Sequence, residues 1–477
     1  MSSSGQRATS AVGQHKRTPR DGGAATRALA PIPLIGAFES TYQPAHDADV
    51  AETTGHIDRF EQDLDLLQSC GIRTLRYPLR WHRIETSPGH FDLTATDRTL
   101  GRLRERGLVP IVDLVHHTSY PGWLTGGFGD VRFPAAYLRY VEAVARRYDW
   151  IEQYTLFNEP FSTLMLCGHE AIWPPYLRGL ENFLGLVRNV IPAVAEASRL
   201  YAQLLPDATH VYVDSCEHHT AAGPEGVGIT ELANDRRFFV ADIMLGQHLD
   251  RRRPFVAKVI EAGFGDLLSI PPGCIDVLGL DYYAHCQWEF SAPDAGIVPS
   301  PRPAALRELI VEYWERYRLP CMLGETNIRG FGPDRATWLK YTLEQCERAR
   351  EAGVPFVGYC WFPFIDSADW DSLLYRCDGN IDPVGVYSID CNLDRGPSSM
   401  SEAFRLAASG APAGALPAFD LQEPVATWLK GFRTEMSHWR WRPPQRGEVD
   451  TANASPDERI ELKIVDRSEE GGQCSAG

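Results

Sequence analysis

The sequence predicts a closed (β/α)8 TIM barrel, and three observations carry that expectation. Eight short apolar runs with strand character alternate with helical patterns along the body of the chain. That body, residues 31–410, has the length of one such barrel. Two glutamates, Glu159 and Glu325, each close an apolar run, and barrels carry their chemistry at strand C-terminal ends.

The predicted strands are Pro33 to Phe38, Thr74 to Leu79, Val109 to Val115, Gln153 to Phe157, His210 to Asp214, Asp276 to Asp281, Pro320 to Gly324 and Phe356 to Trp361. Between them, Arg59 to Leu67 and Ala136 to Arg147 place apolar residues at helical spacing. Residues 1–30 are rich in Ser, Gly, Ala, Thr and Arg without periodicity, which predicts a disordered tail. Residues 411–477 are expected to be a C-terminal extension, largely irregular, and the span between the tails reads as one domain without a repeat.

Composition narrows the function classes. A formal net charge of -16 opposes attachment to nucleic acid or anionic membranes, both of which need clustered Lys and Arg. The 11 cysteines are odd in number and lack CxxC spacing, so neither a disulfide framework nor a zinc site is indicated. A reducing cytoplasm is the expected compartment. No run has the length of a membrane span, and the N-terminus lacks the apolar stretch of a signal peptide.

Thr155-Leu156-Phe157-Asn158-Glu159-Pro160 puts an amide and a carboxyl side by side at a strand end, and Gly324-Glu325-Thr326-Asn327 supplies a second carboxylate far downstream. Glycosidic bond cleavage needs that pair, one carboxyl to protonate the leaving oxygen and one to attack the anomeric carbon. Taken singly, each glutamate could equally be a structural partner of an arginine. Asn158 alone could cap a turn.

These motifs resemble glycoside hydrolase family 1, the retaining β-glycosidases of clan A, over roughly residues 33–405. Phe157-Asn158-Glu159-Pro160 resembles the family's acid/base motif, and Gly324-Glu325-Thr326-Asn327 its nucleophile motif, with Gly and Thr flanking Glu325 where Thr and Asn are usual. Tyr42-Gln43 resembles the strand-one sugar-binding Gln. Leu75-Arg76-Tyr77 through Ile84 resembles the strand-two segment that sets an arginine beside the nucleophile. The stretch ending in His116 resembles that of a sugar-binding histidine, with His117 following it. Leu278-Gly279-Leu280-Asp281-Tyr282-Tyr283 resembles GLNYY, with Asp281 for Asn. Gly358 to Trp370 resembles GYxxWSLLDNFEW, and Gly385 to Asp390 the closing GxxYVD run.

The resemblance implies catalytic roles for Glu159, Glu325, Arg76, Asn158 and Tyr283, and sugar contacts for Gln43, His116, Phe362, Asp369 and Trp370. Phe362 stands where the family stacks a Trp, and Asp369 where a Glu holds the 4- and 6-hydroxyls. The implied activity is β-glucosidase-like hydrolysis of a small-molecule glycoside through a covalent glycosyl-enzyme, with no cofactor. A transglycosylase on the same fold and a non-catalytic carbohydrate-binding protein stay open as alternatives. Aglycone choice is expected to rest with the loops Gly122 to Phe133, His169 to Gly179 and Glu217 to Asn234.

Overall fold

The computed structural model describes residues 30–292 and 297–421. The chain divides into Met1–Pro31 and Ile32–Gly477, and the elements below belong to the second unit. Residues 1–29 of the tail expected over 1–30, and the extension past residue 421, lie outside the described residues.

Eight strands close into a parallel barrel: β1 Leu34–Ala37, β2 Thr74–Pro78, β3 Val109–Asp113, β4 Gln153–Thr155, β5 Thr209–Ser215, β6 Val277–Asp281, β7 Cys321–Glu325 and β8 Phe356–Cys360. Each falls on a predicted run. The barrel closes where β8 pairs with β1, Leu34 opposite Tyr359 and Ile35 opposite Cys360, while β1 also pairs with β2. Strands covered on both faces need apolar side chains on both, which is why these runs read as near-continuous rather than alternating.

Alternate strand positions point inward, where Ile35, Ala37, Ile111, Val213 and Met322 form their own buried cluster. The larger core lies between strands and outer helices. Helix α1, Phe60–Ser69, sets Leu64 and Leu67 against the barrel, and α2 is Thr94–Glu105. Helix α3, Phe133–Arg147, carries a proline in its first turn and buries Ala136, Tyr137, Tyr140, Val141 and Val144, a stripe at helical spacing. Tyr137 and Tyr140 do more than fill space. Their hydroxyls donate to the carbonyls of Leu156 (2.9 Å) and Leu114 (3.0 Å), pinning the chain just past β4 and β3. Burying a large apolar side chain of this kind contributes roughly 1.5–3 kcal/mol.

Two features depart from the sequence expectation. Glu217 to Asn234, expected as a loop, holds a strand, His218–Ala221, and most of helix α6, Val227–Arg236. That strand pairs parallel with Gln287–Phe290, building a small sheet over the C-terminal end of the barrel. At the other end of the chain, packing continues past residue 410. After helix α11, Ser399–Ala408, Lys340 of α10, Gly332–Glu351, donates to the carbonyls of Ala413, Gly414 and Leu416, and Leu421 is fully buried. Among the described residues no helix is long and apolar enough to cross a membrane.

Candidate active site

Glu325 is the last residue of β7, and a register shift against β6 between Leu323 and Glu325 marks a bulge at Gly324. Bulges re-aim side chains, and this one sets the Glu325 carboxyl between two partners. Arg76 Nη1 donates to Glu325 Oε1 at 2.6 Å, and the Tyr283 hydroxyl donates to Oε2 at 2.8 Å. Arg76 is itself fully buried, and its Nη2 donates to Asn158 Oδ1 at 2.6 Å and to Asp113 Oδ2 at 3.3 Å. Because a guanidinium only donates, that bond fixes the amide orientation of Asn158 and turns its NH₂ away from Arg76.

Glu159 follows β4 and precedes helix α4, Pro160–Gly168, with φ at 42°, a left-handed backbone rare outside glycine. Such strain costs on the order of 1–3 kcal/mol and persists only where neighbours impose it. Here the Glu159 N–H donates to Val213 of β5 at 3.1 Å, and Asp214 accepts from Phe161 N (2.8 Å) and Ser162 N (3.3 Å), capping the helix. Burial and the nearby Glu325 charge hold the Glu159 carboxyl well above the usual carboxylate range, with Asp214 adding to the rise. Both effects favour its protonated form.

Oxygens of Glu159, Asp281 and Glu325 all lie within 4.8 Å of one another. Asp281, fully buried at the end of β6, has no hydrogen-bond partner on either oxygen among the described residues, and burial followed by the two glutamates pushes its pKa well up. The adjacent Gly324 explains how this third carboxyl fits. A Cβ there would sit 2.3 Å from Asp281 Oδ1 and 3.3 Å from the Gly279 Cα. Gly324→Ala is accordingly expected to destabilise the fold by about 1–3 kcal/mol and to lower kcat/KM, with Asp281→Ala in the same chain restoring most of the melting temperature. Thermal melts of the three variants check this.

A cavity of about 700 Å³ opens onto Glu159, Glu325 and Tyr283. Its outer wall is largely apolar, with Met165, Leu166, Ile172, Trp173, Leu232 and Trp288, supplied by α4, by the His169 to Gly179 segment and by the small sheet and α6. A fold of this kind, with two carboxyls at such close range, invites comparison with known proteins. The family model described as glycosyl hydrolase family 1 matches residues 37–296, more than half of the chain. The chain belongs to glycosyl hydrolase family 1. The match runs from β1 through β6, so it includes Asn158 and Glu159 and stops short of the strand that carries Glu325.

Relatives of this family 1 chain are distant. Beta-glucosidase A of Thermotoga maritima is 22% identical over 352 residues, covering 66% of this chain and 78% of that protein. The beta-glucosidase of an Agrobacterium species is 25% identical over 371 residues, covering 68% and 78% respectively. Among solved structures, the family 1 β-glucosidase from Thermotoga maritima superposes with a TM-score of 0.69 at 16% identity, covering 81% of this chain and 99% of that one. At that identity the likeness speaks to the barrel.

The structure thus brings together Glu159, Glu325, Arg76, Asn158 and Tyr283. The expected sugar contacts of this family 1 chain divide differently. Trp370 lines the cavity, but Gln43, His116, Phe362 and Asp369 do not. Both oxygens of Asp369 are engaged by backbone N–H groups, of Gly379 at 2.8 Å and of Asn380 at 3.2 Å. His116 is fully buried between Asp113, 2.8 Å from its Nδ1, and Glu39, 3.2 Å from its Nε2. Phe362 lies beneath both Arg76 and His116.

Of two further cavity residues, the sequence reading set one, His117, behind its neighbour His116 and missed the other. His117, with φ at 48°, faces the cavity beside Trp173, its Nε2 3.8 Å from Glu159 and 3.4 Å from the Asn158 amide nitrogen. Burial and the charged His116 keep its pKa well below the usual value, so the ring is neutral. Glu39 is the second. Its only sequence signal is a charged residue directly after an apolar run, in Ala37-Phe38-Glu39-Ser40-Thr41.

Proposed function

We propose that this chain is a retaining β-glycosidase acting on β-glucosides or related β-glycosides with an apolar, aryl-type aglycone. The observation that carries the reading is the approach of the Glu159 and Glu325 oxygens to within 4.8 Å. Retaining enzymes hold their carboxyls about 5–5.5 Å apart, whereas inverting ones need about 6.5–9.5 Å to admit a water.

Glu325 attacks the anomeric carbon and Glu159 donates its proton to the departing oxygen. Arg76, by opposite charge, and the Tyr283 hydroxyl, by hydrogen bonding, favour the anionic nucleophile and orient it. Forming the ester consumes the Glu325 charge. One cause of the raised Glu159 pKa then disappears, and Glu159 can ionise and take the proton from incoming water. The Asn158 NH₂, its orientation fixed by Arg76, is the donor for the 2-hydroxyl, a contact that strengthens as oxocarbenium character develops. The largely apolar outer cavity supports the aglycone class, since burying an aryl group against Leu166, Ile172, Trp173 and Trp288 gains hydrophobic free energy.

A panel of 4-nitrophenyl glycosides tests the reading. Turnover of at least one β-glycoside and none of the α-anomers is expected. Failure of every β-glycoside, with sugar binding intact by calorimetry, would favour a non-catalytic carbohydrate-binding protein. Transfer products dominating over free sugar when methanol is added would favour a transglycosylase.

A further inference from the structure

In the sugar pocket, two of the side chains that the family resemblance assigns to the glycone, His116 and Asp369, are withdrawn. His116 is bonded through Nδ1 to Asp113 and faces Glu39 from Nε2 at 3.2 Å, and Asp369 is tied to backbone N–H groups, while neither lines the cavity. The pocket must hold its sugar by other means. Glu39 supplies one, because it lines the same cavity as Glu159, Glu325 and Trp370.

The Glu39 side chain is a built feature of the pocket. Oε1 accepts from the Thr41 backbone N–H and from its hydroxyl, both at 2.7 Å, and faces His116 Nε2 at 3.2 Å. Among the described residues no protein donor reaches Oε2, although the residue is only 7% exposed, so this oxygen's remaining neighbour is the cavity. Burial alone would raise the Glu39 pKa, but His116 brings it down to about 2, while Glu39 and Asp113 push that of His116 up to about 10 against its own burial. The negative charge on Glu39 thus persists across the working pH range.

We propose that Glu39 is the specificity-determining residue of the glycone pocket, binding sugar hydroxyls through Oε2 and rejecting glycones that carry a carboxylate or phosphate. The proposal rests on the glycosidase reading for its ligand class. A hydroxyl donating to a carboxylate makes a charge-assisted bond. An anionic substituent in the same pocket meets a fixed like charge in a medium of low dielectric, where repulsion is far stronger than in water. Arg76 is already shared among Glu325, Asn158 and Asp113; the protonated His116 facing Oε1 offsets part of the Glu39 charge, and Arg236 and Lys258 also line the cavity.

The test compares binding of phenyl 1-thio-β-D-glucoside with that of the matching thioglucuronide by calorimetry, in the wild-type full chain and in Glu39→Gln. Wild type should prefer the neutral ligand by about 100-fold or more, as expected for a desolvated like-charge contact. Glu39→Gln should weaken neutral binding about tenfold and cut the preference to about tenfold or less, by loss of a charge-assisted bond and of the repulsion. The double variant Glu39→Gln/His116→Asn removes both charges of the pair, and it should show the same narrowing if the single variant fails to fold. A wild-type preference for the thioglucuronide, or a preference unchanged in every folded variant, overturns the proposal. Thioglycosides resist turnover, so the outcome is read apart from catalysis. A wild type that binds as expected but hydrolyses no β-glycoside would sink the glycosidase reading and leave Glu39 standing.

Discussion

Replacing Glu325 with Ala is expected to reduce kcat/KM on aryl β-glycosides by on the order of 10⁵-fold, because the group that forms the covalent bond is gone while the rest of the pocket remains. The variant should recover turnover with azide or formate. Either anion enters the space the carboxylate leaves and attacks from the same face, giving with azide a product of α configuration. The substitution also leaves the Tyr283 hydroxyl without its acceptor and Arg76 with Asp113 as its one carboxylate. Removing one partner of a buried pair typically costs about 3–5 kcal/mol, so melting curves belong beside the kinetics. Glu325→Gln keeps an acceptor for Tyr283 and should melt closer to wild type while staying inactive. A loss below about tenfold in a folded variant, or no anion rescue, would remove Glu325 as nucleophile.

Glu159→Ala should behave differently, since it removes the proton donor and leaves Glu325 able to attack. Alkyl glycosides, whose leaving groups need protonation, should lose about 10²–10⁴-fold, whereas formation of the glycosyl-enzyme from dinitrophenyl glycosides should lose much less. Azide needs no general base, so it should intercept the intermediate and give a β-glycosyl azide. The pH profile supplies an independent check. The raised Glu159 pKa means that the wild-type enzyme holds the proton below it, so kcat/KM should fall as pH rises through that value. In Glu159→Ala the alkaline limb should vanish. Equal losses for good and poor leaving groups would show that Glu159 is not the acid/base.

The barrel was legible because strands buried on two faces leave continuous apolar runs, and all eight did so, from Leu34–Ala37 to Phe356–Cys360. The candidate pair was legible for a related reason: Glu159 and Glu325 are charges abutting such runs. The roof was not legible. Glu217 to Asn234 contains a strand and a helix, yet the helix buries only Thr230 and Ala233 and has no apolar stripe to announce it.

The sugar pocket was only partly legible, because its features are relational. Nothing in Asp369 itself says that the N–H groups of Gly379 and Asn380 claim both oxygens, and nothing in His116 says that Glu39 will face it from the segment after β1. His117 was passed over in favour of its neighbour, since the choice between adjacent histidines turns on a positive φ that only the folded backbone reveals. Gly324 and Asp281 were visible as separate departures from the family pattern. Their meaning as a pair comes from the fold, which leaves only 2.3 Å between Asp281 Oδ1 and the place a Cβ on residue 324 would take, across the β6–β7 bulge.

The most direct measurement of the central claim is the anomeric configuration of the first sugar released. Hydrolysis of a 4-nitrophenyl β-glycoside, followed by proton NMR from the first seconds, separates the two mechanisms before mutarotation mixes the anomers. Two carboxyls as close as Glu159 and Glu325 leave no room for a water opposite the leaving group, so the β-hemiacetal should appear first and the α-anomer should grow in only later. An α-hemiacetal as the first product would contradict the double displacement and with it the nucleophilic role of Glu325.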